Sequence, residues 1–175
     1  MFYIYVSMRF LKVRDVKTPV RGTDFSAGID FFVPNDFNNG TPFELKPQHD
    51  LLIPSGIKVN VPNTHMLMAA DKSGVVTSKE ACLVANRKPK ANAFDSMIII
   101  GAKIVDEDYK GEVHIHVINV GKRNVMIEPG MKITQFIVVP VSYVGLEEVN
   151  SEEALFKDKY STRGDNGFGF GTGCD

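Results

Sequence analysis

Missing from this sequence, first, is any excess of basic charge. Its 20 Lys and Arg stand against 21 Asp and Glu, a formal net charge of −1. Proteins that coat nucleic acid carry a large basic surplus, so nucleic acid is not expected as a partner. A small anionic ligand held by a few focused cations stays possible. Cysteine is scarce: Cys82 and Cys174, far apart in the chain, make neither a disulfide framework nor a zinc site. A reduced, cytoplasmic setting follows as the expectation. Long apolar runs are also missing. The opening stretch Phe2–Val6 is apolar, but no basic segment precedes it and it is far too short to span a bilayer, so no membrane role is expected. It reads as a strand or a lead-in. Asn39-Gly40-Thr41 has the form of a glycosylation sequon; with no secretion signal it reads as a polar turn. Internal repeats and long stretches of helical periodicity are absent as well.

What is present is a succession of short runs in which Val, Ile, Phe and Tyr recur, punctuated by Gly, Pro, Asn and Asp. They include Ile29–Val33, Leu51–Ile53, Ile57–Val61, Met66–Ala70, Met97–Ile100, Val113–Val117 and Ile133–Val141. Turn residues such as Pro54-Ser55-Gly56 and Pro129-Gly130 separate them. With 175 residues and 43% hydrophobic content, this is one domain with a real core. Many short strands predict an all-β sandwich, jelly roll or barrel with at most one or two short helices. One helix is expected over Val75–Glu80, after Ser73-Gly74. Another is expected over Ser151–Phe156, where Ser151 caps and Glu152 and Glu153 suit the first turn. Asn86–Asp95 is polar, basic and proline-bearing, and reads as a long loop. From Thr162 onward the chain is too glycine-rich for regular structure. The division is therefore a β domain over 1–161 and a flexible arm over 162–175.

Several segments carry candidate chemistry. Asp106-Glu107-Asp108-Tyr109-Lys110-Gly111 joins two apolar runs, Ile98–Val105 and Val113–Val117. It could be a solvated turn, or a carboxylate that polarises water beside an aromatic plate. Lys72-Ser73-Gly74 opens a helix after a strand, as a plain cap or as a phosphate contact. In the tail, Arg163 can grip phosphate bidentately. The glycines around Phe168 and Phe170, Gly169 among them, let the backbone approach a ligand. Asp30 and Gln135 each pass as structural. His114 and His116 lie two apart on one strand face, and read as hydrogen-bonded strand histidines rather than zinc ligands, since no further ligand is placed.

Taken together and in this order, five segments resemble the motifs of the trimeric dUTPase family. They are Ala27-Gly28-Ile29-Asp30, Lys72-Ser73-Gly74-Val75, Ile104 through Glu112, Gly130 through Ile137, and Arg163-Gly164 through Gly173. The resemblance runs from about Met8 onward. It implies a distorted jelly roll of the β-clip kind and a homotrimer whose three sites each draw on all three subunits. The implied activity is dUTP diphosphatase: Mg²⁺-assisted hydrolysis of dUTP to dUMP and pyrophosphate in the cytoplasm (that of the host, were the source a virus). Asp106 would activate the attacking water, and Tyr109 would pack under the deoxyribose. Lys72, Ser73, Gly74 and Gln135 would hold phosphates, Arg163 the γ-phosphate. Phe168, with Gly169, would close over uracil. Asp30 would support the site and reach Mg²⁺ through water, with no direct protein ligand to the metal. The backbone around Ile100 would read the base.

The chain departs from the family pattern at several places. Lys72 stands where Arg is usual, Ile100 where Asn is frequent and Lys103 where Gly is. Ser73 to Asp106 is longer than usual, with 86–95 as the surplus, and Phe170 adds a second candidate for stacking. A dCTP deaminase shares the fold, but its catalytic Glu would fall at position 116, which is His116. A non-catalytic binding or regulatory role on the same scaffold is the other alternative, with 86–95 as its partner surface.

Overall fold

The computed structural model describes residues 7–76, 97–162 and 164. Among these residues the regular structure is eleven strands, a short 3-10 segment (Phe37–Gly40) and two short helices, the first described as far as Val76. In the first of two units, Met1–Ser142, the strands are β1 (Arg9–Lys12), β2 (Val20–Arg21), β3 (Ile29–Phe31), β4 (Phe43–Leu45), β5 (Asp50–Asn60), β6 (His65–Asp71), β7 (Ile98–Ile100), β8 (Ile104–Val105), β9 (Glu112–Asn119), β10 (Val125–Ile127) and β11 (Thr134–Pro140). Helix α1 (Ser73–Val76) follows β6. The expected all-β class holds, and every strand pairing is antiparallel.

Two sheets carry the core. One has the order β1-β5-β9-β7, the other β2-β3-β11-β6-β8; β4 and β10 form a separate pair. Strand β9 shows why the chain folds this way. Val113, Ile115 and Val117 alternate with His114, His116 and Ile118, so the period-2 pattern sends the first three wholly inside. They share the interior with Ile53 and Ile57 of β5, Leu67 of β6, and Phe31 of β3 against Phe136 of β11, whose ring centroids lie 4.5 Å apart. Each such side chain contributes roughly 1.5–3 kcal/mol by leaving water.

Three expectations are revised in detail. Leu51–Ile53 and Ile57–Val61 are not two strands about a turn. They belong to one strand, β5, whose register against β9 shifts between Pro54 and Lys58. This is a bulge, and it turns on Gly56 at φ +74, where a Cβ would lie 2.8 Å from Val16 Cγ1. The run Ile98–Val105 is also divided: β7 joins the first sheet and β8 the second, so Gly101–Lys103 crosses between sheets. The polar turn at Asn39 is present, with Asn38 and Asn39 both in the left-handed region at φ 49 and 56. The expected helix over Val75–Glu80 begins earlier, at Ser73; residues beyond Val76 lie outside those described. Phe2–Val6, Cys82, Cys174 and the 86–95 loop also lie outside them.

The second unit, Tyr143–Asp175, contains helix α2 (Glu152–Leu155). Its cap is the expected one: the Ser151 hydroxyl accepts from Ala154 N–H at 3.2 Å. Among the described residues no helix is long and apolar enough to cross a membrane.

The bulge is clamped by Glu112, the first residue of β9. One of its carboxylate oxygens accepts from Gly56 N–H at 2.7 Å and from Arg14 Nε at 2.8 Å. Burial alone would raise the Glu112 carboxyl, but the Arg14 and Gly56 hydrogen bonds outweigh it and hold the group below its ordinary value of 4.5. A depressed carboxyl contributes stability above its unfolded-state value, and that stability is lost as pH falls through the folded one. Glu112→Gln should therefore lower the thermal midpoint at pH 7 and narrow its gap to wild type as pH drops below about 4.5. Melting curves of both proteins across pH 3–7 provide the check; a gap that is constant with pH would rule out the clamp's ionic character.

Candidate active site

Two groups of polar residues sit at different places on the scaffold. The first gathers where β3, β6 and β11 end. Antiparallel pairing sets Gln135 of β11 between Asp30 of β3 and Ala70 of β6. Asp30 is only 4% exposed, and a carboxylate so buried must be paired. Lys72 Nζ donates to its Oδ1, and Lys132 Nζ donates to its Oδ2 at 3.1 Å. Burial would raise this carboxyl; the two ammonium groups outweigh it and hold it below the ordinary range. Two lysines on one aspartate leave a positive charge in excess beside the half-buried Lys72, a setting that suits an anion. Gln135 Nε2 donates to Asp71 O at 3.0 Å. Its side chain lies over Gly28, where a Cβ would stand 2.1 Å from Oε1. Ser73, exposed, begins α1 directly after Lys72.

Asp71 links this group to the crossover between sheets. Its Oδ1 accepts from Ile100 N–H at 2.7 Å, and its Oδ2 lies 3.8 Å from Lys103 Nζ. The Lys103 carbonyl accepts from Ala69 N–H at 2.7 Å. Gly101 N–H donates to the His116 carbonyl at 2.8 Å, and Ala102 N–H to His116 Nδ1 at 3.0 Å. The Ile100 side chain is core, which leaves only its backbone for any outside contact.

The second group is the turn between β8 and β9. Tyr109 N–H closes it on Asp106 O at 3.2 Å. Glu107 fastens it from outside by accepting from Thr64 N–H at 2.8 Å. The Tyr109 hydroxyl donates to Glu112 O at 3.0 Å, and its ring folds over Gly111, where a Cβ would stand 2.2 Å from the phenol oxygen. Asp106 and Tyr109 border a hollow of about 170 Å³ whose walls include Leu52, Ala102, Ile104 and His114. The Asp106 residue is exposed to solvent. A larger hollow of about 480 Å³, lined by Met8, Phe10, Arg21 and Val138 among others, holds none of the candidate catalytic or binding residues.

The two groups stand at opposite ends of β6. Val105 is opposite Leu67, and one step further in that register brings Asp106 beside Met66. Lys72 follows the other end of the strand, at Asp71. Five residues of extended chain separate Met66 from Asp71, about 17 Å. Sequence reasoning thus named residues that the structure gathers in two places: Asp30, Lys72, Ser73, Gly74 and Gln135 in one, Asp106 and Tyr109 in the other, with Ile100 tied to the first through Asp71. Arg163, Phe168, Gly169 and Phe170 lie outside the described residues. The histidines are hydrogen-bonded as expected: His114 Nδ1 contacts Glu112 O at 2.9 Å, and His116 uses both ring nitrogens. Among the described residues no three His, Cys, Asp or Glu groups gather as a metal site. Sequence reasoning missed Lys132, Asp71 and Asp50. Lys132 was legible as a second cation two residues before an alternating strand; the other two had no local signal, because their partners are far along the chain.

The chain matches the dUTPase family model over residues 14–171, and it belongs to that family. The deoxyuridine 5'-triphosphate nucleotidohydrolase of Mus musculus is 29% identical over 164 residues, 93% of this chain and 83% of that one. Among solved structures, a mutant of the Staphylococcus bacteriophage 80alpha dUTPase with dUpNHpp superposes at a TM-score of 0.68 with 19% identity, covering 93% of this chain and 96% of that one. A mutant dUTPase from phage phi11 of S. aureus, described with a coordinated structural Mg(II) ion, gives 0.62 with 19% identity over 85% and 99%. These likenesses establish the fold.

The Gly28–Gln135 contact yields a test. Gly28→Ala should cost roughly 1–3 kcal/mol by displacing the Gln135 side chain. In a Gln135→Ala background most of that cost should vanish, because contacting residues are not additive. Urea unfolding of the four proteins measures the cycle; strict additivity would mean that Gly28 is required for some other reason.

Proposed function

We propose that this chain hydrolyses dUTP to dUMP and pyrophosphate in the cytoplasm, by in-line attack of water at the α-phosphorus. Each site would combine the Asp106 turn of one copy, the Lys72–Gln135 group of a second and the C-terminal arm of the third. The reading is carried by the family match over residues 14–171, which spans both groups. The shared site has its own support. A base must lie within about 3 Å of the water it activates, and a triphosphate cannot bridge a gap of about 17 Å along β6. A closed ring of identical subunits, here a homotrimer, brings such halves together.

Within that site, uracil lies against the backbone of Ile100–Lys103. The deoxyribose rests on Tyr109, whose ring is held over Gly111 and would exclude a 2′-hydroxyl. Lys72, Ser73, Gly74 and Gln135 take phosphate oxygens, and Arg163 takes the γ-phosphate. Phe168 covers the base, while Gly169 lets the arm approach. Asp106 accepts a proton from the water as its oxygen bonds to the α-phosphorus. The bond from that phosphorus to the bridging oxygen breaks, and pyrophosphate leaves with the electron pair. Little covalent work falls to the protein; alignment and neutralisation of phosphate charge supply the rate. Mg²⁺ fits as an ion carried by the triphosphate and completed by water, where it supplies charge neutralisation on phosphate oxygens. Both Asp30 oxygens hold ammonium groups, so Asp30 serves the two lysines first.

A dCTP deaminase would need a carboxylate at position 116. His116 stands there, with its ring nitrogens engaged by Ala102 N–H and Asp50. A pyrophosphate-release assay over the four common dNTPs, dUTP and UTP, with and without EDTA, should show turnover of dUTP alone and a marked fall on chelation. Ammonia released from dCTP would overturn the reading. Asp106→Asn should lower kcat by about 10²–10⁴ with dUTP binding retained, and a fall of less than about tenfold would remove Asp106 as the base.

A further inference from the structure

The crossover Gly101–Lys103 is an unusual place for a backbone to be well held. The chain leaves one sheet at Ile100 and joins the other at Ile104; one bond in ladder register survives at each side, Gly101 N–H to His116 O and Ala69 N–H to Lys103 O, and Ala102 lies between them with neither sheet to pair with. Yet each N–H from Ile100 to Ala102 has a partner. Asp71 takes the first, the His116 carbonyl the second, and the His116 ring the third. Two of the three partners are side chains, and the Gly101 and Ala102 carbonyls accept no hydrogen bond among the described residues.

His116 is fitted to this task on three sides. Its backbone and its ring hold successive residues of the crossover. The ring fills the space that Gly101 leaves, where a Cβ would lie 2.2 Å from Nδ1. Its far nitrogen, Nε2, lies 2.9 Å from Asp50 Oδ2. Ala102 N–H is a donor, so Nδ1 must present its lone pair; the ring proton then sits on Nε2, and Asp50 accepts it. This hydrogen bond is also the leading cause that lowers the Asp50 carboxyl below its ordinary value. Asp50 thus selects the one tautomer able to hold Ala102.

We propose that His116, oriented by Asp50, is the positioning residue for base recognition: it fixes the Gly101–Ala102 backbone so that its carbonyls face the base, without itself touching the nucleotide. The inference rests on the reading of Ile100–Lys103 as the base-contacting segment. A uracil presents an N3–H donor to such acceptors, whereas cytosine presents a lone pair there. A slack crossover should therefore weaken dUTP binding and blur the choice between dUTP and dCTP, while leaving the chemical step at Asp106 nearly intact.

Two isosteres separate positioning from space filling. Asn places its carbonyl oxygen where Nδ1 stands and keeps the Ala102 contact. Gln reaches the Nε2 position and keeps Asp50, but it leaves Ala102 N–H without its acceptor. Steady-state kinetics with dUTP and dCTP should show His116→Gln raising KM for dUTP about tenfold, with kcat within about threefold, and lowering the dUTP-to-dCTP ratio of kcat/KM about tenfold. His116→Asn should stay within about threefold of wild type on all three. A His116→Gln protein with wild-type KM and base ratio would overturn the proposal, as would His116→Asn impaired as much as His116→Gln. The imidazole ¹⁵N shifts of the wild-type protein give an independent readout: the Nε2–H tautomer is expected, and the Nδ1–H tautomer or a cation would contradict it. Failure of the wild-type protein to turn over dUTP at all would instead refute the functional reading itself, whatever the ¹⁵N spectrum shows.

Discussion

Strand β6 is the constraint on which the rest depends. It pairs with β8 along one edge and with β11 along the other. Leu67 and Ala69 of β6 and Phe136 of β11 point inward, so slipping β6 against β11 by one residue would turn an apolar face to water. With those registers set, the Asp106 turn has to leave from the Met66 end and Lys72 from the Asp71 end. The separation of acid from cations is a result of hydrogen-bond pairing in a sheet, not of any property of the residues themselves. On the proposed reading, a site that uses both draws on more than one copy.

Around that spine, the fold repeatedly uses a side chain or a glycine to settle backbone that the ladders cannot. Glu112 holds the β5 bulge, Glu107 ties the Asp106 turn to Thr64, and Asp71 and His116 hold the crossover. Gly28 and Gly111 give up a Cβ so that Gln135 and Tyr109 can lie flat against the chain. These contacts lie beside residues proposed to meet the nucleotide, and alignment is most of what a protein supplies in phosphoryl chemistry.

Much of this was legible in the sequence, for identifiable reasons. The class was readable from β9, where strict alternation leaves little choice, and the candidate site from five segments whose order matches a family. Three things were hidden. Pro54-Ser55-Gly56 looks like a turn, and only its long antiparallel partner makes it a bulge. The Ile98–Val105 run looks continuous, and only the division between two sheets breaks it. The pairing of His116 with Asp50, 66 residues away, has no local signature at all. Local pattern reports which face a residue takes; it is silent on which distant strand lies alongside.

The central claim, that one site takes Asp106 and Gln135 from different copies, is tested most directly by subunit complementation. Asp106→Asn and Gln135→Ala proteins, each impaired alone, would be unfolded together, refolded as mixed assemblies and assayed with dUTP. Random mixing in equal amounts should restore up to about a quarter of wild-type sites, those that take Asp106 from one parent and Gln135 from the other. Activity that never exceeds the average of the two parents would mean that each copy carries a complete site, and would contradict the account.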